Sequence, residues 1–211
     1  MKMDVQTLLE SMDGIALIID RELRIQHLGQ RNWQRFWQDN GGGEQQAPLS
    51  CRPITDAFTV GSVRDTFRQL LMELFEQKRG LLHVDYRCDA PEEKRWMRLS
   101  VTPILPRDER KVEYLLYQSI LLDSQPRARL GLFDVPATGL QRPGILRICC
   151  MCAKVASPPA DAGGPQNWVD AEDYYALGGK EVSMLSHGFC EPCASKLLAD
   201  DRAERAATQL A

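Results

Sequence analysis

An α+β architecture, a five-stranded antiparallel sheet with helices on one face, follows from two features of this 211-residue chain. From residue 5 to 123 the apolar pattern runs helix, two strands, helices, three strands. Short turns join the last three strands, which makes them antiparallel neighbours. A third feature sets a smaller module apart: five of the seven cysteines lie in the last third of the chain.

The elements follow in order. MDVQTLLESM (3–12) places Met3, Val5, Leu8, Leu9 and Met12 near one side of a short helix, which Asp13 and Gly14 stop. IALIID (15–20) and RIQHLG (24–29) read as strands joined by a polar turn at Arg21 and Glu22. RNWQRFWQDN carries Trp33, Phe36 and Trp37 at helical spacing and is ended by GGG at 41–43. VGSVRDTFRQLLMELFEQKRG aligns Val60, Val63, Phe67, Leu70, Leu71, Leu74 and Phe75 on one face of the longest helix, with Gly80 as its stop. LLHVDYRCD alternates Val84, Tyr86 and Cys88 against Asp85, Arg87 and Asp89. After the turn APEE, KRWMRLSVTPIL sets Met97, Leu99 and Val101 against Trp96, Arg98 and Ser100. KVEYLLYQSILLD is apolar on both faces, which predicts cover on both. The face bearing Leu115, Tyr117 and Leu121 is expected to be the outer one, needing a second copy, the linker or the cysteine module over it. SQPRARLGLFDVPATGLQRPG then reads as a linker. The expected division is 1–123, 124–144 and 145–211, the last ending in a helix.

Hydrophobic residues at 44% and charged residues at 26% are those of a folded, soluble protein. A net charge of -3 argues against nucleic-acid binding by phosphate neutralisation. No apolar run approaches the roughly 18 to 20 residues of a membrane span. The acidic N-terminus does not read as an export signal, so a cytoplasmic location with reduced thiols is expected.

The strand-strand-helices-three-strand order, with RNWQRFWQDNGG and VDYRCDAPEEKRWMRLSVTPI, is similar to the PAS sensory fold over residues 5 to 123. The resemblance implies a sensing or protein-pairing module with a small internal pocket, often dimeric through its N-terminal helix and sheet. Flavin photosensors of that fold carry Cys within Asn-Cys-Arg-Phe-Leu-Gln; Cys51 in LSCRPI lacks those neighbours. A haem needs an axial ligand, and the candidates His27 and His83 read as ordinary strand histidines. Neither flavin nor haem is expected, and the pocket ligand stays open. Trp33, Phe36 and Trp37 read as core rather than pocket lining. GGG follows a helix instead of opening one, so it is no phosphate loop, and Glu92 and Glu93 read as solvated turn residues. No enzyme is expected; the chain would act through a protein partner, with a homodimer expected and no membrane or nucleic acid.

Cys149 and Cys152 form one C-x-x-C, and Cys190 and Cys193 a second, with 37 residues between the pairs. Two such knuckles suit zinc, because each brings two thiolates to one ion at about 2.3 Å. The interval exceeds the roughly 15 to 20 residues of a common zinc ribbon. A redox dithiol and an iron-sulfur cluster use the same residues and stay open. Ala153 and Ala194 stand where c-type haem attachment needs His. His187 is an alternate ligand or a hydrogen-bonding cap, and Cys150 an alternate or a spare thiol.

The segment ICCMCAKV…NWVDAEDYY…SHGFCEPCASKL resembles a small bacterial C-terminal module found after PAS, GAF or receiver domains in signalling proteins. Cys149, Cys152, Trp168, Tyr174, Ser186, His187, Gly188, Cys190 and Cys193 carry the match. The chain departs from it at Ala153, at the order Glu191-Pro192, and in the inserted SPPADAGGP. The resemblance implies a signalling protein with a structural zinc site on the four cysteines.

Overall fold

The computed structural model describes residues 4–39, 49, 51–57, 61–105, 111–133, 145–157, 167–179, 184–197 and 199. The chain forms two compact units, Met1–Val135 and Pro136–Ala211. Among the described residues no helix is long and apolar enough to cross a membrane.

The first unit opens with α1 (Val5–Ser11), begun by the Asp4 carboxylate, which accepts the Thr7 amide N–H at 2.7 Å. Of its apolar stripe only Leu9 is buried; Val5 and Leu8 are exposed. Asn32 at the start of the next helix donates to the Met12 carbonyl, tying the end of α1 down. Strands β1 (Ile15–Asp20) and β2 (Ile25–Leu28) follow. Their turn is built by Asp20, whose Oδ1 accepts the amides of Glu22 and Arg24. Leu23 sits in it with φ 61 and is buried, a conformation that costs a non-glycine residue about 1 kcal/mol.

α2 (Gln30–Asp39) lays Trp33 and Phe36 on the core as half-buried rings stacked at 5.8 Å. The GGG expected to end it lies outside the described residues. α3 (Gly61–Phe75) buries Val63, Leu70, Leu71, Leu74 and Phe75, each such side chain contributing about 1.5–3 kcal/mol. It stops ahead of Gly80, the expected stop. Gln77, at φ 56, takes the left-handed role, with the Lys78 amide reaching back to the Glu73 carbonyl.

β3 (Leu82–Arg87), β4 (Glu93–Ile104) and β5 (Tyr114–Pro126) complete a sheet of order β2-β1-β5-β4-β3, every pair antiparallel. The end strands of the sequence, β1 and β5, thus meet at the centre. Met97, Leu99 and Val101 are buried as the alternation requires. On β5 the expected facing is reversed: Leu115 is wholly buried and Tyr117 packs against the core, while Tyr114 lies on the other face and is exposed. Leu121 is half exposed. A register shift opposite Trp96 and Met97 displaces the end of β5.

Gly14, just before β1, has φ +67, and a Cβ there would stand 2.1 Å from the Ser119 carbonyl oxygen. Gly14→Ala is therefore expected to destabilise the first unit by about 2–4 kcal/mol, combining strain with a backbone clash. Urea denaturation measures this; a loss under about 0.5 kcal/mol would show that the β1–β5 contact yields freely.

Asp89, read from the alternation as an outward strand residue, is instead a buried hub, its side chain 1% exposed. It accepts two bonds from Arg87, at 2.8 and 2.6 Å, one from Arg127 at 2.8 Å and one from the Arg95 amide at 3.2 Å. Of the expected linker, residues 124–126 are the end of β5. Residues 127–133 lie back on the β3–β4 turn: the Arg127 and Leu130 amides bond the carbonyls of Glu92 and Pro91, and Leu130 and Leu132 are buried.

The second unit is a four-stranded sheet of order β8-β7-β6-β9, from β6 (Ile145–Cys149), β7 (Val155–Ser157), β8 (Asn167–Val169) and β9 (Met184–Gly188). α4 (Ala171–Ala176) follows β8 and buries Tyr174. Most of the SPPADAGGP insertion lies outside the described residues. β9 runs parallel to β6, pairing Ile148 with His187 and Cys149 with Gly188. Residues 191–197 are helical.

Candidate metal centre

The parallel β6–β9 pair explains how two distant C-x-x-C motifs meet. β6 delivers Cys149 to its C-terminal end, and a turn through Cys150, Met151 and Cys152 reverses the chain into β7. The reversal is held by the Cys149 amide on the Lys154 carbonyl at 2.7 Å and the Ala153 amide on the Cys149 carbonyl at 2.9 Å. Ala153, at φ 59, supplies the left-handed step. Alongside, β9 ends at Gly188, and the chain enters the 191–197 helix with Cys190 before it and Cys193 in its first turn. Gly188 also accepts the Cys150 amide at 3.0 Å, stitching the two knuckles together. Only the first knuckle is a strand reversal; the second is a strand-to-helix junction.

The sulfurs of Cys149, Cys152, Cys190 and Cys193 all lie within 4.8 Å of one another. Cys152 Sγ and Cys190 Sγ are 3.7 Å apart, and the Cys190 amide donates to Cys149 Sγ at 3.4 Å. Cys149 and Cys190 are buried, and Cys152 and Cys193 half-buried. Cys150 is outside this group and half-buried; the His187 side chain lies outside the described residues, while its backbone is in β9.

The chemistry of the four thiols is unequal. The Cys152 thiol and the Cys190 amide, donating to Cys149, hold its pKa down at about 4 against the opposing effect of burial. Cys152 is raised by that same hydrogen bond and by burial. Burial and a bond to Cys190 push Cys193 up to about 12. Burial, then the nearby Cys149 charge, push Cys150 to about 12. Cys149 is pushed down towards its thiolate, whereas Cys152 and Cys193, pushed up, must surrender protons to a cation. Cation affinity is expected to rise with pH, by up to about two log units per pH unit from these two groups alone. Chelator competition at pH 6 and pH 7.5 checks this; a pH-independent affinity, once the chelator's own protonation is corrected, would contradict the thiol assignment.

The remaining candidates of the first unit stand apart from any such cluster. His27 and His83 are exposed on β2 and β3, and Cys51 is exposed in a turn. Glu92 is exposed and pairs with Arg129. Of the three aromatic residues of α2, Phe36 alone lines a cavity against the sheet, and sequence reasoning missed its companion there, the buried Arg95. An arginine between Lys94 and Trp96 on a strand carries no signal of burial.

No protein-family model and no curated protein matches the chain. Among solved structures it is similar to the PAS domain of Bordetella pertussis BvgS, with 10% identity and a TM-score of 0.41 over 56% of this chain and 83% of that one. It is similar also to a sensory box sensor histidine kinase from Vibrio cholerae, with 13% identity and a TM-score of 0.37 over 56% and 88%. The first unit is the part of the chain that forms the five-stranded antiparallel sheet. Its element order and five-stranded antiparallel sheet are those on which the sequence resemblance rests. The second unit adds a four-cysteine set fit to hold a metal ion.

Proposed function

We propose that this chain is a non-enzymatic, cytoplasmic bacterial signal-transduction protein in which a PAS-like sensing or pairing unit precedes a structural zinc module. The observation that supports the metal is the compactness of the sulfur set. A tetrahedral zinc ion with Zn–S bonds of about 2.3 Å holds its sulfurs about 3.8 Å apart. The Cys152–Cys190 separation of 3.7 Å matches that spacing. An iron-sulfur cluster distributes its cysteines over several irons and needs a wider set. Four thiolates around one ion favour zinc and leave no open coordination position for catalysis.

Metal analysis of the untagged protein, with its visible spectrum, tests the reading. About one zinc per chain and a featureless spectrum are expected; a coloured protein carrying iron would replace zinc with iron, and no bound metal would leave a dithiol pair.

The PAS-like unit acts through protein partners in this reading, a second copy among them. Support comes from exposed Tyr114 and its exposed cross-strand neighbour Ile104, an apolar pair on the sheet face away from the core. Light scattering is expected to give a dimer that Tyr114→Glu weakens. A monomer at high concentration would remove the pairing.

A further inference from the structure

We propose that Cys193 is the reactive thiolate of the metal centre, the sulfur that adds first to an α,β-unsaturated carbonyl. The proposal rests on the zinc reading above and gives one of the four ligands a chemical role besides holding the ion.

Two properties rank the sulfurs: whether a reagent reaches them, and which N–H groups hold them once the thiol protons are gone. Cys149 and Cys190 are 1% and 2% exposed, which closes them to a reagent. Cys152 and Cys193 are half-buried and stay within reach. A hydrogen bond to a thiolate stabilises it, and a stabilised thiolate is a weaker nucleophile. Cys149 accepts such bonds from the amides of Cys190, Met151 and Cys152. Cys152 accepts one from the Lys154 amide. The hydrogen bonds of Cys193 run instead to two sulfurs, those of Cys190 and Cys152. Bonds made by thiol protons vanish when those protons leave to admit a cation, whereas amide bonds persist. Of the two reachable sulfurs, Cys193 then keeps no hydrogen bond among the described residues.

The fold supplies the reason. The first knuckle is an open reversal whose amides turn toward the sulfurs. Cys193 lies instead in the 191–197 helix, where amides serve carbonyls four residues back, as Ala194 serves Cys190 at 2.9 Å. Pro192, in the place that Met151 takes in the first knuckle, has no N–H to offer. The flanking Glu191, Pro192, Ser195 and Lys196 are exposed, so solvent borders the sulfur. In the reaction the Cys193 sulfur gives an electron pair to the β-carbon. An S–C bond forms as the C=C π bond breaks, and the α-carbon takes a proton from water, leaving hydroxide. The product is a thioether without the thiolate's charge, and the ligand set falls from four thiolates to three.

The test takes the full-length protein, its zinc content measured first, and treats it with N-ethylmaleimide at neutral pH. Site-resolved mass spectrometry follows each cysteine, and a chelating dye follows released zinc. Among the four centre cysteines Cys193 is expected to be labelled first, about threefold or more ahead of Cys152 and about tenfold or more ahead of Cys149 and Cys190. Zinc release should track the labelling of Cys193. Exposed Cys51 reacts as an ordinary thiol without releasing zinc and serves as the internal reference. Cys193→His, which keeps a zinc ligand in that place, should slow release about threefold or more. Because that variant can fail to fold, the labelling order in the unaltered chain decides by itself. A protein that purifies without zinc overturns the metal reading and this proposal with it. A zinc-loaded protein labelled first at Cys149, Cys152 or Cys190, or releasing zinc before Cys193 is labelled, overturns this proposal alone, as does unchanged release from a folded, zinc-loaded Cys193→His.

Discussion

Replacing Cys190 and Cys193 together by serine is expected to strip the bound metal and unfold the second unit while the first stays native. Among the described residues of that unit, Leu146, Ile148, Ala153, Val155, Ala156, Ala171 and Tyr174 are the buried hydrophobic ones besides the cysteines. Its strands are only three to five residues long. Such units rely on a staple, and a structural zinc ion contributes about 10–16 kcal/mol at neutral pH in small zinc modules. Hydrogen exchange of the double variant should show protection lost over 145–197 and kept in β1, β4 and β5. Wild-type protection across β6 and β9 in the metal-free variant would make the cysteines ordinary core residues.

Asp89→Ala is expected to cost the first unit about 3–5 kcal/mol, the scale of removing one partner from a buried charge set. The carboxylate neutralises Arg87 and Arg127, whose side chains are 16% and 5% exposed, and it orders the Arg95 amide. Without it two guanidiniums each lose a counter-charge in a place that water reaches poorly. The melting temperature of the first unit should fall by about 10 °C or more, with the second unit's metal content unchanged. Asp89→Asn, which keeps the shape and loses the charge, should fall between. If Asp89→Ala melted within about 2 °C of wild type, the hub would be an ornament of the hairpin, and the 127–133 segment would owe its place to Leu130 and Leu132 alone.

Much of this was legible from the residues, for reasons that also explain the rest. The helices and strands of the first unit announce themselves by period, because Leu70, Leu71, Leu74 and Phe75, or Met97, Leu99 and Val101, recur at spacings that only one element satisfies. β5 misled because it is apolar on both sides, so alternation separates its two faces without telling which one meets the core. The β1–β5 pairing joins Ile15 to Ser119 across the whole unit, and no local pattern records it. Leu23, Gln77 and Ala153 take left-handed conformations with no glycine to signal them. Asp89 reads as an ordinary outward strand residue until Arg127, 38 positions later, returns to it. For the metal centre the four cysteines are named by the motif spacing itself. The parallel β6–β9 pairing that assembles them is not, since ILRIC and MLSHG taken alone carry no pattern that joins one to the other.

That pairing also fixes when the centre can exist during synthesis. Cys149 and Cys190 lie 41 positions apart, and the strand that carries the second pair to the first is β9 itself. At about 5–20 residues per second, a ribosome leaves Cys149 and Cys152 without their partner thiols for about 2–8 s. In that interval the first pair offers a cation two ligands, and the β6 edge that β9 will occupy stands unpaired. A metal ion held by all four cysteines therefore has to wait for β9, and a nascent chain halted before β9 presents an open sheet edge beside two exposed thiols.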